Sequence, residues 1–261
     1  MEISVIIAYY KNLPALDLIL KALQLQSQKG FEVIIAEDDN NDKTKSFVEN
    51  ESQNYSFPIL HVRQDKDNGF RKNEILNKAI KVSNGVMCVF LDGDTIPHRH
   101  FIKAYLDAKK RGVAVFGRRV MLSESFTNRI MDSKNLNILK LINLLSSGSK
   151  RLKYSLYIPF IKSYRDTGIW GCNWGILKEH LLEVNGFDED YIRAGVGEDV
   201  DIEWRLKQNG IKLQSIRFGA IVYHLHHKVN YSGDDVKYNF KLFDNKKIEK
   251  NIFCKNGLSK V

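Results

Sequence analysis

The chain has 261 residues, 43% hydrophobic and 27% charged, with four prolines and a net charge of +9. That is enough apolar material for one sizeable core, as a single large domain or a domain with an insertion. Three scattered cysteines, Cys88, Cys172 and Cys254, exclude a disulfide framework or a cysteine-built zinc site. The opening MEISVIIAYY runs straight into a strand pattern without signal-peptide character, and no stretch nears the roughly 18–20 apolar residues of a membrane span. These features predict a cytoplasmic setting.

Residues 3–8 (ISVIIA) predict a buried strand. Leu16, Ile19, Leu20 and Leu23 share one face of a helix over 13–28. A second strand is expected at 31–36, a polar helix at 41–54 and a third strand at 57–62. Ile75, Ala79 and Ile80 space a helix across 71–82, followed by a strand at 86–91, a helix at 101–110 and a strand at 113–120. Apolar strands alternating with helices imply an α/β fold, with a mostly parallel central sheet and helices on both faces. Ligands of such sheets sit beyond the carboxyl ends of the strands. The segments expected there, 37–42 (EDDNND), 63–70 (RQDKDNGF) and 92–95 (DGDT), are acidic.

Charge is unevenly spread. Lys134, Lys140, Lys150, Arg151, Lys153, Lys162 and Arg165 fall in 133–165 with no Asp or Glu among them, interleaved with LNILKLINLL and YSLYIPF. Such a segment suits an anionic membrane surface, or it is a helical insertion whose leucines join the core. No nucleic-acid-binding motif accompanies the charge.

Asp92-Gly93-Asp94 ends an apolar run. Two carboxylates at a cleft mouth repel each other unless a hard divalent cation neutralises them, although Asp-Gly-Asp is also an ordinary turn. His224, His226 and His227 follow another apolar run and offer imidazole ligands suited to Mn2+. Glu198 and Asp199, preceded by Gly195 and Gly197, open a helical pattern. They serve there either as first-turn acids favoured by the helix dipole or as a general base facing the cleft.

In their order these segments resemble the family 2 glycosyltransferases of the GT-A (nucleotide-diphospho-sugar transferase) fold. More narrowly, they resemble the subgroup of bacterial polysaccharide polymerases, with their chondroitin-polymerase-like domains, and animal β-1,4-galactosyltransferases. The likeness covers about 3–120 and 166–228. ISVIIAYYKN is similar to the first strand and loop, IIAEDDNNDKT to an A-D-D-G-S-T-D-E-T segment, and QDKDNGFRKNEILNKAI to Q-x-D-x-G-F-R. FLDGDTIPH matches the Asp-x-Asp segment, WGCNWG the acceptor-side W-G-x-N, GVGEDVDIEWRL the G-G-E-D segment and VYHLHH an ending in H-L-x-H. Glu37 stands where Asp is usual, Asp39 where Gly is usual, and Leu76 replaces the Arg of an Arg-Asn pair. Residues 193–196 replace a Trp-rich acceptor stretch.

The resemblance implies a metal-dependent, inverting hexosyltransferase in surface polysaccharide biosynthesis. Its donor would be a UDP-sugar and its acceptor a glycan or polyprenyl-linked oligosaccharide. Asp199 would be the catalytic base. Ala8, Tyr10, Glu37, Asp38, Asn77, Asp92 and Gly93 would bind the nucleotide sugar. Trp170, Gly171 and Glu198 would hold the acceptor. Asp94, His224 and His227 would ligate Mn2+ or Mg2+, leaving His226 spare. One catalytic domain is expected over 1–230. It comprises a nucleotide-binding half (1–120), the basic insertion (123–165) and an acceptor half (166–230), with a basic tail over 231–261. The insertion would reach the cytoplasmic membrane face, and no nucleic acid is expected as a partner. The rival readings are a nucleotidyltransferase, for which the Gly-rich triphosphate loop is missing, and a non-catalytic basic surface protein.

Overall fold

The computed structural model describes residues 1–164 and 168–261. The strands are β1 (Ile3–Tyr9), β2 (Phe31–Glu37), β3 (Ile59–Arg63), β4 (Met87–Asp92), β5 (Thr95–Pro97), β6 (Val113–Phe116), β7 (Arg118–Met121), β8 (Asn173–Leu177), β9 (Lys212–Ser215) and β10 (Ile221–His224). The helices are α1 (Leu13–Gln24), α2 (Asp42–Glu51), α3 (Lys72–Val82), α4 (Phe101–Ala108), α5 (Glu124–Ser133), α6 (Leu141–Leu145), α7 (Lys178–Glu183), α8 (Glu198–Gln208) and α9 (Gly233–Ile248).

Seven strands form the main sheet in the order β3-β2-β1-β4-β8-β6-β9. All pairings are parallel except those of β8, which runs antiparallel to both β4 and β6. Alternation along β1 divides the core. Ile3, Val5 and Ile7 pack with Leu16, Ile19, Leu20 and Leu23 of α1 on one face. Ile6 packs with Ile75, Ala79 and Ile80 of α3 on the other. The strands read as uniformly apolar because both faces are covered. Asn12 caps α1 by accepting from the Ala15 N–H at 3.3 Å.

A second sheet has the strand order β5-β10-β7. The run expected as one strand at 113–120 is therefore two strands in different sheets. Gly117 makes the break, since a Cβ there would lie 2.1 Å from the Ala220 carbonyl oxygen and 2.3 Å from the Asn173 amide. Asn173 fastens the sheets together. It accepts from the Tyr105 hydroxyl at 2.6 Å and donates to the carbonyls of Arg118 (3.2 Å) and Ala220 (2.9 Å).

The insertion forms α5, α6 and short 3-10 turns, and Phe126, Ile130 and Leu144 enter the core. Other apolar residues of the segment stay outside: Ile142 is 70% and Phe160 81% exposed. Arg165, the last of the seven basic residues, lies outside the described residues, as does the start of the acceptor half at 166. The expected basic tail is structured. Ser232 and Asp235 form a capping box at the start of α9. Lys246 of α9 pairs with Asp188 at 2.8 Å and also with Asp190. Cys254 is fully buried, so the packed unit continues past residue 230. Among the described residues no helix is long and apolar enough to cross a membrane.

Candidate active site

A cleft of about 610 Å³ opens at the carboxyl ends of β1, β2 and β4. Ala8, Tyr10, Asp38, Asp92, Gly93 and Asp94 line it together with Lys72 and His227. A hollow of about 750 Å³ at the opposite end of the sheet has Lys110, Arg111 and Lys212 on its walls but no carboxylate or histidine, so it holds no catalytic constellation.

Asp92-Gly93-Asp94 is both a turn and a part of the site. Asp92 ends β4, and the Gly93 N–H donates to the Ala8 carbonyl at 2.7 Å. A Cβ on Gly93 would meet that oxygen at 3.0 Å, so β1 and this turn approach as closely as glycine permits. The turn then enters β5, whose Thr95 lies opposite His224 of β10. The second sheet thereby carries the histidines to the carboxylate. Asp94 Oδ2 lies 2.9 Å from His227 Nε2 and 3.5 Å from His224 Nε2. One ligand atom from each of the three residues falls within 4.8 Å of the others. Asp94 Oδ1 and His224 Nδ1 are buried and have no hydrogen-bond partner. One carboxylate and two imidazoles, with acceptor atoms left unsatisfied, fit a divalent cation such as Mn2+. The hydrogen bond to Asp94 raises His227 to about 9. His226 does not join the cluster; its backbone N–H donates to the Thr127 hydroxyl.

Beside the cleft, in a small crevice that shares Ala8 and Lys72 with it, α8 begins at Glu198, and Asp199 Oδ2 accepts from the Gly171 N–H at 3.4 Å. Burial pushes Glu198 up to about 7, with Lys72 opposing and Asp199 adding to the rise. Burial raises Asp199 as well. The two acids are consecutive residues in the first turn of α8. Lys72 joins the crevice to the cleft. Its ammonium donates to Asp92 Oδ1 at 2.9 Å and lies 3.7 Å from Glu198 Oε1. Burial disfavours its charge, but Asp92, Glu198 and Asp199 hold its pKa above the usual lysine value. The sequence reading missed Lys72. It lies one helical turn before Leu76 on α3, so it brings a cation to the face where Leu76 has replaced the family's arginine.

Asp38 lines the cleft, accepting from the Arg71 backbone N–H at 2.8 Å, and burial pushes it up to about 6. Tyr10 lies at the rim, with its hydroxyl on Asp67. Two expected donor residues point elsewhere. Glu37 is fully buried and turns to His61 of β3, 2.9 Å away. Asn77 is consumed structurally, donating to the Phe187 carbonyl and Glu189 and accepting from the Phe187 N–H. Trp174 is core, stacked on Phe90 with centroids 4.6 Å apart. Half-buried Trp170 does not line the cleft; it packs against arginines of β7 and the insertion.

Residues 4–184 match glycosyl transferase family 2, and 157–228 match the N-terminal domain of galactosyltransferase. The chain belongs to glycosyl transferase family 2. It is 22% identical to the uncharacterized glycosyltransferase YfnE of Bacillus subtilis, over 92% of this chain and 69% of that protein. Among solved structures it resembles S. aureus TarS (TM-score 0.60, 17% identity, 94% of this chain and 39% of that one). It also resembles the Pyrobaculum calidifontis mannosyltransferase PcManGT, solved with GDP-Man and Mn2+ (0.63, 17%, 95% and 64%). A third likeness is to GalNAc-T7, solved with UDP, GalNAc and Mn2+ (0.65, 14%, 94% and 48%). The chain thus spans less than two thirds of each of these solved chains. The GT-A fold is shared, and the nucleotidyltransferase and non-catalytic readings give way to a family 2 glycosyltransferase.

Proposed function

We propose that this family 2 enzyme transfers a hexose, with inversion, from a UDP-sugar to a glycan or polyprenyl-linked oligosaccharide in surface polysaccharide assembly. The observation that carries the reading is the convergence of two groups on Lys72. The cleft holds the Asp94, His224 and His227 cluster, a small adjoining crevice that shares Ala8 and Lys72 holds Asp199 and Glu198, and Lys72 bridges Asp92 and Glu198. Ala8, Tyr10 and Asp38 flank the space for the nucleoside, and Asp92 and Gly93 the space for the diphosphate. Asp94, His224 and His227 would hold Mn2+, which when bound neutralises the charge that develops on the leaving diphosphate. Asp199 takes the proton of the acceptor hydroxyl as that oxygen attacks the sugar carbon from the face opposite the diphosphate. Glu198 holds neighbouring acceptor hydroxyls.

A screen of UDP-sugars with Mn2+, scored by UDP release, tests the reading. Asp199→Asn should abolish transfer while UDP with Mn2+ still raises the melting temperature. Full transfer by Asp199→Asn would remove the base assignment. A second reading concerns the insertion. Ile142, Leu145 and Phe160 are exposed among Lys140, Lys150, Lys153 and Lys162, which suits an anionic cytoplasmic membrane face. Co-sedimentation with anionic vesicles should be lost when these lysines become glutamate; equal binding by both proteins would discard it.

A further inference from the structure

Three guanidinium groups gather on one ring beside the crevice that holds Asp199 and Glu198. Arg118 lies 4.5 Å, Arg151 4.7 Å and Arg119 5.4 Å from the centroid of Trp170. Trp170 directly precedes Gly171, whose N–H meets Asp199. The arginines come from separate parts of the chain: Arg118 and Arg119 from β7, and Arg151 from the basic insertion, which pairs with β7 through Lys150 and Met121. Arg151 holds φ 60°, left-handed backbone that a non-glycine residue adopts at a cost.

Their partners set two of them apart. Arg63, Arg111, Arg193 and Arg205 each face a carboxylate. Arg118 already donates to the carbonyls of Gly117 and Gly168. Among the described residues, no carboxylate oxygen lies within 4.0 Å of Arg119 or Arg151, and Arg119 acts on Asp94, His224 and His227 only at longer range. Arg119 Nε is buried without a hydrogen-bond partner, and its Nη1 reaches only Cys172 Sγ at 3.7 Å. A buried guanidinium donor with no acceptor is costly unless a ligand completes it. The planar fork of arginine matches phosphate and carboxylate oxygens, and Trp170 keeps it oriented by stacking.

We infer that Arg119 and Arg151, ordered on Trp170, form an oxyanion subsite on the acceptor side, so that the acceptor is an acidic saccharide carrying a phosphate or carboxylate. This rests on the transferase reading above. It also gives Arg151 of the basic insertion a ligand-binding role beside the cleft rather than on a bilayer.

Isothermal titration calorimetry on the full chain, first with UDP and Mn2+ and then with glucose 6-phosphate, glucuronate and glucose, tests it. At least one acidic sugar should bind about tenfold or more tightly than glucose, as charge-assisted hydrogen bonds imply. Preference for the phosphate or for the carboxylate then names the group. Arg151→Gln, at an exposed position that leaves the core untouched, should remove most of that ratio, and Arg119→Gln likewise. Equal binding of acidic and neutral sugars, or a ratio unchanged in both variants, overturns the inference while a normal UDP isotherm leaves the transferase reading standing. Displacement of the acidic sugar by UDP assigns the arginines to the donor and also overturns it. Loss of any UDP isotherm in the wild type removes both readings.

Discussion

Replacing Lys72 by methionine keeps its aliphatic stem and deletes the cation that bridges Asp92 and Glu198. At an effective dielectric of about 20, a unit charge 3.7 Å from Glu198 is worth about 4–5 kcal/mol, which is about three pKa units. The Lys72 side chain is 18% exposed and that of Glu198 9%, so water screens part of this, leaving about one to two units. The sign follows from the charges. Lys72 favours the ionised acids, so its loss raises the Glu198–Asp199 pair, already high through burial. Less base is then available at a given pH, and the acid limb of the kcat/KM profile moves to higher pH. The assay is nucleoside diphosphate release from the proposed donor against pH at saturating Mn2+. An acid limb displaced by less than about half a unit would refute the coupling of Lys72 to the proposed base.

Glu198→Gln mimics the neutral acid that burial favours, so the acid limb should hold its place within about half a unit, checked in the same profile. Gly117→Ala should destabilise by about 2–3 kcal/mol, because its Cβ would meet the Ala220 carbonyl oxygen at 2.1 Å. That corresponds to a melting temperature about 5–10 °C lower by calorimetry; an unchanged transition would contradict the close approach. Arg205 is fully buried and holds Asp201 at 2.7 Å. Arg205→Met should cost about 3–5 kcal/mol in urea unfolding, and adding Asp201→Leu should recover part of it. A single variant as stable as the double would show that the stranded carboxylate carries no penalty.

Much of the sheet was legible because doubly covered strands are apolar throughout and helices punctuate them. The break at Gly117 was not, because both flanking tetrads are good strand sequences and the obstacle, Ala220, lies over a hundred residues away. Asp94, His224 and His227 were readable as ligating types, and the pairing of β5 with β10 is what unites them. Side-chain direction was hidden. Glu37 carries the expected acid at the end of β2 but turns to His61 on the neighbouring strand. Asn77 keeps the expected amide yet spends it on Phe187 and Glu189. Lys72 reads as an ordinary solvated lysine at a helix start, and only the fold brings two acids from other segments around it. The arginines around Trp170 were illegible for the same reason, since they are drawn from positions 118, 119 and 151.

The antiparallel strand β8 has a consequence for how this enzyme can diversify. It belongs by sequence to the acceptor half, yet it lies between β4 and β6 in the middle of the sheet, with Trp174 opposite both Phe90 and Phe116. The two halves are therefore interleaved rather than joined end to end. Exchanging 166–230 as a cassette with another family member would pull a central strand out of the donor-binding framework. Changes of acceptor are instead open to the loops that leave the sheet, at 122–164 and 188–197. Both segments lie outside the strand pairing of the main sheet, so their exposed positions can be rewritten while Phe126, Ile130, Leu144 and Tyr191 keep them anchored in the core.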